Sequence, residues 1–374
     1  MKAGFIVVGI SIALGACAER ALTEPSPPRI DWRAAAIQGG TADATSTFAV
    51  TVLDDQGGIC SGTLIAPNLV LTARHCVASD DGGASVNCAK DRFAAANAAS
   101  TLHVSLAATA PAFGDAEYKA TKVIVPTETL FCGNDLALLI LDKLVPASVA
   151  KPATPAIDPP LTDRAKYGAK LTAIGYGTTG PGLNDDGRRR VRPAIPITCI
   201  PGDATLGCSL ADFDMTTAEM AAGNGLCEGD SGSGAFEPTS LAAGTPIVMG
   251  VLSRASDASG QCTDAIYGRT DVASSLLIAA AKEAAISGGY TAPTWADPTG
   301  TTAPEAGTPS APGGTGDGAP DAGNGAAPPS ATSTSTSGCA LTTRRAARDS
   351  TDAAALGAAG ALGLALLVSR RRRR

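Results

Sequence analysis

Short apolar stretches, separated by polar turns, recur along the chain between residues 48 and 252. They cover residues 48–53, 63–65, 69–72, 120–125, 136–141, 171–174 and 247–252, and Gly, Pro, Asn and Asp lie between them. Short strands punctuated by turn residues are typical of an all-β domain, and the pattern predicts two packed barrels. A helical stretch over residues 272–285 is expected to close the domain.

The N-terminal end carries a targeting pattern. Met1-Lys2 precedes an apolar run over residues 4–15 that is too short to span a bilayer, so residues 1–17 are predicted to be a secretory signal peptide. Leu14-Gly-Ala-Cys17 resembles the lipobox of bacterial lipoproteins, in which Cys17 would be acylated, although Ala16-Cys17-Ala18 also fits ordinary cleavage; we favour lipidation. Residues 18–36 have no periodicity and are expected to form a propeptide or tether.

The composition changes sharply near residue 288. Residues 288–337 consist mainly of Gly, Pro, Ala, Thr and Ser, which bury too little apolar surface to offset chain ordering, so they predict a disordered stalk. Beyond it lie Gly338-Cys339, an apolar run over residues 353–368 and the arginines 370–374. This order resembles the C-terminal sorting signals of myxobacterial surface proteins, so residues 338–374 predict a sorting or membrane-anchor segment. The alternative is an amphiphilic tail without a function.

Size and charge limit the classes of protein to consider. The 374 residues are 44% hydrophobic, enough for a sizeable core. A net charge of −6 argues against nucleic acid as a partner. Ten cysteines, nine of them after the predicted signal peptide, indicate an oxidising, extracytoplasmic compartment.

Three short segments carry the candidate chemistry. They are Leu71-Thr-Ala-Arg-His75-Cys76, Asn134-Asp135-Leu-Ala-Leu-Leu139 and Gly229-Asp230-Ser231-Gly232-Ser-Gly234. A serine hydroxyl becomes a good nucleophile when a histidine takes its proton and a buried carboxylate orients that histidine. Asp142 is a rival carboxylate, but Asp135 stands at the head of an apolar stretch.

In this order and with these flanks, the three segments resemble those of the chymotrypsin-like (trypsin-type) serine peptidases, and the resemblance runs over residues 37–286. It implies two packed six-stranded Greek-key barrels with a C-terminal helix, placed in a peptidase domain over residues 37–287. It also implies a serine endopeptidase (EC 3.4.21 type) acting on protein or peptide substrates. Ser231 would be the nucleophile, His75 the general base and acid, and Asp135 the orienting carboxylate, with the N–H groups of Gly229 and Ser231 as the oxyanion hole.

The resemblance further implies activation by proteolysis. Ile37-Gln-Gly-Gly40 resembles the family's mature N-terminus, whose freed amine is buried against the aspartate before the nucleophile, here Asp230. The uncleaved chain would be a zymogen. The bond that is cut follows Ala36 rather than a basic residue, which favours self-processing over a trypsin-like activator; the alternative is that Gln-Gly-Gly is only a turn.

Alignment with the family's specificity pocket predicts a narrow apolar slot. Gly225 takes the position of the pocket floor, with Leu226 beside it, so no carboxylate awaits a basic side chain. Ser253, Ala255 and Ala265 fall on the walls, where the alanines replace the usual glycines. The expected preference is for small apolar residues such as Ala or Val. Arg254 replaces an aromatic residue often found in the family.

The cysteine pairing follows from the same resemblance. With Cys17 and Cys339 set aside, eight of the ten cysteines remain. The family implies the pairs Cys60–Cys76 and Cys227–Cys262; Cys199–Cys208 follows by proximity to its third bridge, and Cys88–Cys132 is left over. A zinc site is the rival interpretation, but no Cys-x-x-Cys pair accompanies the two histidines, so we predict no metal and no organic cofactor.

Two other functions compete with a peptidase. The first is a catalytically silent binding protein on the same fold, displayed by the stalk and anchor. The second is an esterase, which the order His, Asp, Ser disfavours because α/β-hydrolases place serine first. The interpretation adopted is a monomeric peptidase, secreted and held at the bacterial cell-envelope surface by an N-terminal lipid, a C-terminal tail or both.

Overall fold

The structure is a computed structural model that describes residues 37–82 and 86–297. All of them belong to the first of two compact units, Met1–Gly307. The signal peptide, Cys17, the segment 18–36, the part of the stalk from residue 298 onward and the C-terminal segment with Cys339 lie outside the described residues. No helix among the described residues has the length and apolar character needed to cross a membrane.

The described chain is built mainly from strands, labelled here in chain order. They are β1 (Thr41–Ala42), β2 (Ala49–Asp54), β3 (Ile59–Ala66), β4 (Leu69–Thr72), β5 (Ala78–Asp80), β6 (Phe93–Ala96), β7 (Leu102–Ser105), β8 (Tyr118–Ile124), β9 (Ala137–Leu141), β10 (Thr154–Pro155), β11 (Lys170–Gly175), β12 (Arg190–Cys199), β13 (Glu219–Ala222), β14 (Gly234–Phe236), β15 (Ile247–Ala258) and β16 (Gln261–Arg269). The helices are α1 (Pro238–Ala242) and α2 (Ser274–Gly288), with 3-10 turns at Arg74–Cys76, Ala99–Thr101, Phe113–Asp115 and Leu210–Asp212.

Two closed antiparallel barrels of six strands each form the domain. The first runs in the order β2-β3-β4-β9-β8-β7. The second runs in the order β12-β11-β14-β15-β16-β13, and pairing of β12 with β13 closes it. β1 extends the second barrel along β12, and β10 runs parallel to β15. The all-β, two-barrel prediction is confirmed.

Residues on both faces of the central strands are buried, which explains the continuous apolar runs in the sequence. In the first barrel, Leu64, Val70 and Leu139 pack inside the barrel. Their neighbours Ile65, Leu71 and Leu138 pack outward into a cluster shared with the second barrel and α2. Alternate residues of a strand point to opposite faces, so a strand between two cores loses its polar face.

The packed region extends further than the composition predicted. Helix α2 begins at Ser274 and ends at Gly288, where Gly289 adopts a left-handed conformation with φ of 68°. After this cap, the Tyr290 hydroxyl donates a hydrogen bond of 2.7 Å to Asn68 Oδ1. Ala296 is fully buried, and Trp295 packs against the core. The stalk predicted from residue 288 therefore does not begin there in the structure.

Four disulfides join the expected pairs, of which the family resemblance implied two, proximity to its third bridge suggested one, and the last was left over. They are Cys60–Cys76, Cys88–Cys132, Cys199–Cys208 and Cys227–Cys262. The first ties β3 to the turn after β4, and the second fastens the segment between β5 and β6 to the approach to β9. Both therefore lie beside the segments that carry His75 and Asp135.

Candidate active site

His75 and Asp135 meet because the strands beside them are paired. His75 lies in the 3-10 turn after β4, Asp135 lies just before β9, and Thr72 of β4 stands opposite Ala137 of β9. One carboxylate oxygen of Asp135 lies 2.8 Å from His75 Nδ1, and the other accepts the His75 backbone N–H at 2.9 Å. The two bonds fix both the ring and the turn that carries it.

Burial and charge shift the pKa values of Asp135 and His75 in opposite directions. Burial alone would raise the pKa of the Asp135 carboxyl, but the charge of His75 and the hydrogen bonds from His75 and Ser253 outweigh it, so this pKa is lowered. Burial would lower the pKa of His75, and the Asp135 carboxylate outweighs it, so that pKa is raised. Because an ionised carboxylate only accepts, Nδ1 of His75 carries the proton and Nε2 is the free basic nitrogen.

Ser253 completes the surroundings of Asp135. Its hydroxyl donates to Asp135 Oδ2 at 2.6 Å, and both side chains are buried. The sequence analysis placed Ser253 only on the pocket wall. No local pattern could have revealed this bond, because the two residues lie 118 positions apart. Asp142, the rival carboxylate, instead accepts the Lys119 N–H at 3.0 Å.

Ser231 lies on the second barrel, in the turn before β14, and lines the same cleft of about 1020 Å³ as His75. Among the described residues, no hydrogen bond joins the Ser231 hydroxyl to His75. Catalytic hydrogen bonds often form fully only when a substrate is bound, so this does not count against the pair.

The turn before Ser231 presents two free donors. Within the described part of the chain, the backbone N–H groups of Gly229 and Ser231 have no acceptor. Gly229 has φ of +84°, and a Cβ there would lie 2.9 Å from the Gly177 Cα. A glycine is therefore required to aim this N–H.

Ser61 of β3 holds this turn from the opposite barrel. Its N–H donates to the Ser231 carbonyl at 2.8 Å, and its hydroxyl donates to the Gly229 carbonyl at 2.9 Å. The same hydroxyl accepts the Tyr176 N–H at 2.9 Å. The sequence analysis missed Ser61, because nothing near it in the chain indicates a partner on the other barrel.

Asp230 is fully buried and has no amine partner among the described residues. Its carboxylate accepts the Gly177 N–H at 2.8 Å and the Cys227 N–H at 3.0 Å. Burial raises its pKa to about 7, and these two bonds and the charge of Arg190 offset that effect only in part. The Ile37 side chain is buried in the core of the second barrel, but its nitrogen is still joined to Ala36. No ion pair to Asp230 is present in the described residues.

The predicted pocket residues divide into two groups. Leu226, Ser253 and Ala255 line the cleft, whereas Gly225 and Ala265 are buried and do not line it. A Cβ added at Gly225 would collide with the Arg192 guanidinium, which donates to the Gln38 carbonyl. Arg192 thus fills the space that a side chain on the floor residue would occupy, a feature that the sequence analysis did not find.

Arg254 has an ion pair in place of the aromatic packing common in the family. Its guanidinium lies 2.6 Å from the buried Glu219 carboxylate and donates to the Asp214 carbonyl at 2.6 Å. The cleft is otherwise acidic. Exposed carboxylates on its lining belong to Asp80, Asp212, Asp214, Glu228, Asp257 and Asp264.

A serine on one barrel, a histidine and carboxylate on the other, and two free N–H donors beside the serine fit the two-barrel class of serine endopeptidases. The Trypsin family model matches residues 37–276, and the chain belongs to this family. It is therefore a serine endopeptidase, and its substrates are proteins or peptides. Members of the family are typically secreted.

Three curated relatives agree with this assignment. Kallikrein 1-related peptidase b8 of Mus musculus is 28% identical over 234 residues, which cover 61% of this chain and 81% of the relative. Kallikrein 1-related peptidase b27 of Mus musculus is 30% identical over 198 residues, which cover 49% of this chain and 67% of the relative. Phenoloxidase-activating factor 3 of Holotrichia diomphalia is 26% identical over 239 residues, which cover 56% of this chain and 60% of the relative.

Proposed function

We propose that this endopeptidase uses His75, Asp135 and Ser231 as a catalytic triad, cuts after small apolar residues, and is activated by cleavage before Ile37. The observation that carries the proposal is the hydrogen-bonded pair of His75 and Asp135, which faces the same cleft as Ser231. The free Nε2 of His75 gives that pair a basic atom for the serine proton.

The reaction proceeds in two halves. The Ser231 oxygen attacks the substrate carbonyl carbon while His75 Nε2 takes the hydroxyl proton, and Asp135 stabilises the imidazolium through Nδ1–H. His75 then gives that proton to the departing amine, and an acyl-enzyme ester remains on Ser231. A water molecule, deprotonated by His75, attacks the ester, and the proton returns to Ser231 as the new carboxylic acid leaves.

The negative oxygen formed in each half requires donors that are already in place. The N–H groups of Gly229 and Ser231 have no other acceptor in the described chain, which supports their assignment to the oxyanion hole. Removal of one such donor costs roughly 10² to 10³ in kcat in comparable enzymes.

Activation would supply the cation that Asp230 lacks. Cleavage between Ala36 and Ile37 creates an ammonium group, and the Ile37 side chain is already packed in the second barrel. An ammonium group beside Asp230 would lower the raised pKa of its carboxyl and stabilise the turn that carries Gly229. Because Ala36 fits a small apolar pocket, the same site would process its own precursor.

The pocket supports a preference for small side chains. Leu226 and Ala255 line the cleft together with Ser231, and the Arg192 guanidinium occupies the space that a side chain at Gly225 would need. A long or bulky side chain would have little depth to enter. Ala and Val are therefore the expected residues before the cut.

Display at the cell surface rests on the two ends of the sequence. Cleavage before Ile37 would separate the peptidase from a lipid on Cys17, so the segment 338–374 would be the lasting anchor. Cell fractionation with and without residues 338–374 tests this part. Equal release of both forms into the medium would contradict it.

The central test is hydrolysis of a peptide library varied at the residue before the cut, with the secreted protein and its Ser231→Ala variant. We expect cleavage after Ala or Val and labelling by a fluorophosphonate in the parent only. Cleavage only after Arg or Lys would overturn the predicted pocket. Absence of labelling in a protein whose N-terminus is Ile37 would favour the silent binding protein. An Ile37 N-terminus on purified Ser231→Ala protein would disprove self-processing.

A further inference from the structure

Arg74 is a charged residue buried directly beside His75. It is 3% exposed and lies in the same 3-10 turn, Arg74–Cys76. No carboxylate lies within ion-pair distance of it in the described residues, and its Nε has no hydrogen-bond partner there. Burial lowers the pKa of the guanidinium, and the charges of the Asp135 and Glu128 carboxylates offset this only in part. The ring and carbonyls that Arg74 contacts are therefore the remaining partners of its charge.

The Arg74 guanidinium begins a stack of planar groups that ends on His75. Its Cζ lies 4.7 Å from the centre of the Phe93 ring. Phe93 stacks on Phe131 at 4.6 Å between centroids, and Phe131 lies nearly parallel to His75 at 6.3 Å and 15°. Phe131 thus faces the His75 ring, while Asp135 is hydrogen-bonded to Nδ1 at the edge of that ring.

Arg74 also joins the two segments that carry His75 and Asp135. Its backbone belongs to the His75 turn, and its Nη1 donates to the carbonyls of Pro126 at 3.1 Å and Glu128 at 2.7 Å. These carbonyls begin the segment that leads to Phe131 and Asp135. The guanidinium therefore sets the separation of the two segments independently of the direct bond between His75 and Asp135.

We propose that Arg74 is a positioning residue, which holds the His75 ring in register with Asp135 through the Phe93–Phe131 stack and the carbonyls of Pro126 and Glu128. The role of His75 in this inference rests on the proposed triad. Arg74 touches neither substrate nor the reacting atoms, so it acts through geometry. One nitrogen, Nη1, donates to both carbonyls, while the planar guanidinium lies over the Phe93 ring. Lysine can still donate to a carbonyl, but it has no planar group to begin the stack.

The first test does not require activity. Nuclear magnetic resonance of the full-length Ser231→Ala protein can follow the imidazoles, because the chain has only two histidines. His103 stacks on Phe113 and is bonded to its carbonyl, so it serves as an internal reference. Since the Asp135 carboxylate raises the pKa of His75, loss of their alignment should lower this pKa in Arg74→Gln and also in Arg74→Lys, which keeps the positive charge near Asp135. The downfield Nδ1–H signal should broaden in both variants.

The second test measures catalysis by the processed enzyme. Both Arg74 variants should lose roughly tenfold in kcat with KM almost unchanged, because misplacement of His75 affects chemistry rather than substrate binding. The matched control is Arg269→Gln. Arg269 is also buried and donates to the carbonyls of Pro201 and Thr217, but it forms no hydrogen bond to a triad residue or to the first barrel in the described residues. It should lower Tm without changing kcat or the pKa of His75.

The outcomes distinguish the positioning role of Arg74 from the proposed catalytic triad. A lower Tm for Arg74→Gln with the pKa of His75, its Nδ1–H signal and kcat all unchanged would overturn the positioning role. Full recovery in Arg74→Lys would overturn it in favour of a charge effect. A parent protein that fluorophosphonate does not label would overturn the proposed triad, yet the resonance measurement would still decide whether Arg74 positions His75.

Discussion

At the scale of single residues, the turn before Ser231 depends on backbone angles that only glycine adopts easily. Gly229 has φ of +84° and faces Gly177 across a gap too small for a methyl group. The sequence motif identifies this glycine but does not tell what it faces. The close approach to Gly177, on a different segment of the second barrel, is visible only in the structure.

Gly229→Ala should therefore remove one of the two proposed oxyanion donors without unfolding the protein. The new Cβ would push the peptide away from Gly177 and turn its N–H, so we expect kcat to fall by roughly 10² to 10³ with a small change in KM. Steady-state kinetics on the processed enzyme measures this. Gly57→Ala is the matched control, because Gly57 has φ of +91° in an exposed turn with nothing within 4 Å. An equal loss of kcat in both variants would refute the role of Gly229.

Asp230 makes the stability of the uncleaved chain depend on pH. Its pKa is raised from 3.8 to about 7 in the folded state, so folding favours the protonated form. The resulting stabilisation is complete below pH 3.8 and is lost as the pH rises through 7. It amounts to at most about 4 kcal/mol.

Urea unfolding of uncleaved Ser231→Ala protein at pH 5 and pH 8 tests this. From pH 5 to pH 8, the unfolding free energy of the Ser231→Ala protein should fall further than that of the Ser231→Ala, Asp230→Asn double variant. The double variant lacks the titrating group. Cleavage before Ile37 should remove the loss, because the new ammonium group favours the charged carboxylate. Identical pH dependence in the two proteins would contradict the raised pKa.

At the scale of elements, whether a strand could be predicted from the sequence depends on how much of it is buried. β4 and β9 are buried on both faces and appear in the sequence as unbroken apolar runs, so both were predicted. β12 contains Arg190, Arg192, Pro193 and Pro196 and was missed, because its outer face is solvated and its proline pattern resembles a loop. β14 has three residues, too few to show a period.

The C-terminal boundary of the domain is another property that composition did not predict. Residues 290–297 contain prolines and small residues, yet Tyr290, Trp295 and Ala296 pack against the core around β4 and α2. Their partners lie far away in the sequence, as with the Tyr290 bond to Asn68, which spans 222 positions. Composition alone cannot reveal that a short segment has such a partner.

A chain that stops after Ser287 should therefore be less stable than one that stops after Asp297. Loss of the buried parts of Tyr290, Trp295 and Ala296 should lower the unfolding free energy by about 2 kcal/mol or more. Thermal and urea unfolding of the two truncated proteins, with the full chain as reference, measures the difference. Equal stability of the two truncated forms would show that the packed segment contributes nothing.

At the scale of the whole molecule, the site is assembled from both barrels. His75 and Asp135 come from the first, Ser231 and Ser253 from the second, and buried polar contacts join the two. Arg189 donates to carbonyls of the first barrel from the edge of the second. The motifs predicted which residues would form the triad, but not the bonds that bring the barrels into register, because those bonds join residues far apart in the chain.

Ser61 is the contact between barrels that lies nearest to Ser231, and Ser61→Ala tests whether barrel register controls the chemistry. The variant removes the donor to the Gly229 carbonyl and leaves the Tyr176 N–H without its acceptor. We expect a loss of about 1–3 kcal/mol in unfolding free energy and a roughly tenfold lower kcat, since the turn that carries Gly229 and Ser231 is no longer fixed.

The control for Ser61 is Thr51→Val, which removes a buried hydroxyl within the first barrel. Thr51 Oγ1 donates to the Ser105 carbonyl at 3.3 Å and makes no hydrogen bond to the second barrel in the described residues. This variant should lose stability while kcat stays unchanged. If Thr51→Val lowered kcat as much as Ser61→Ala, the effect would reflect general loosening of the first barrel. A selective effect of Ser61→Ala would instead mean that the first barrel contributes to catalysis both by carrying His75 and Asp135 and by holding the Ser231 turn of its neighbour.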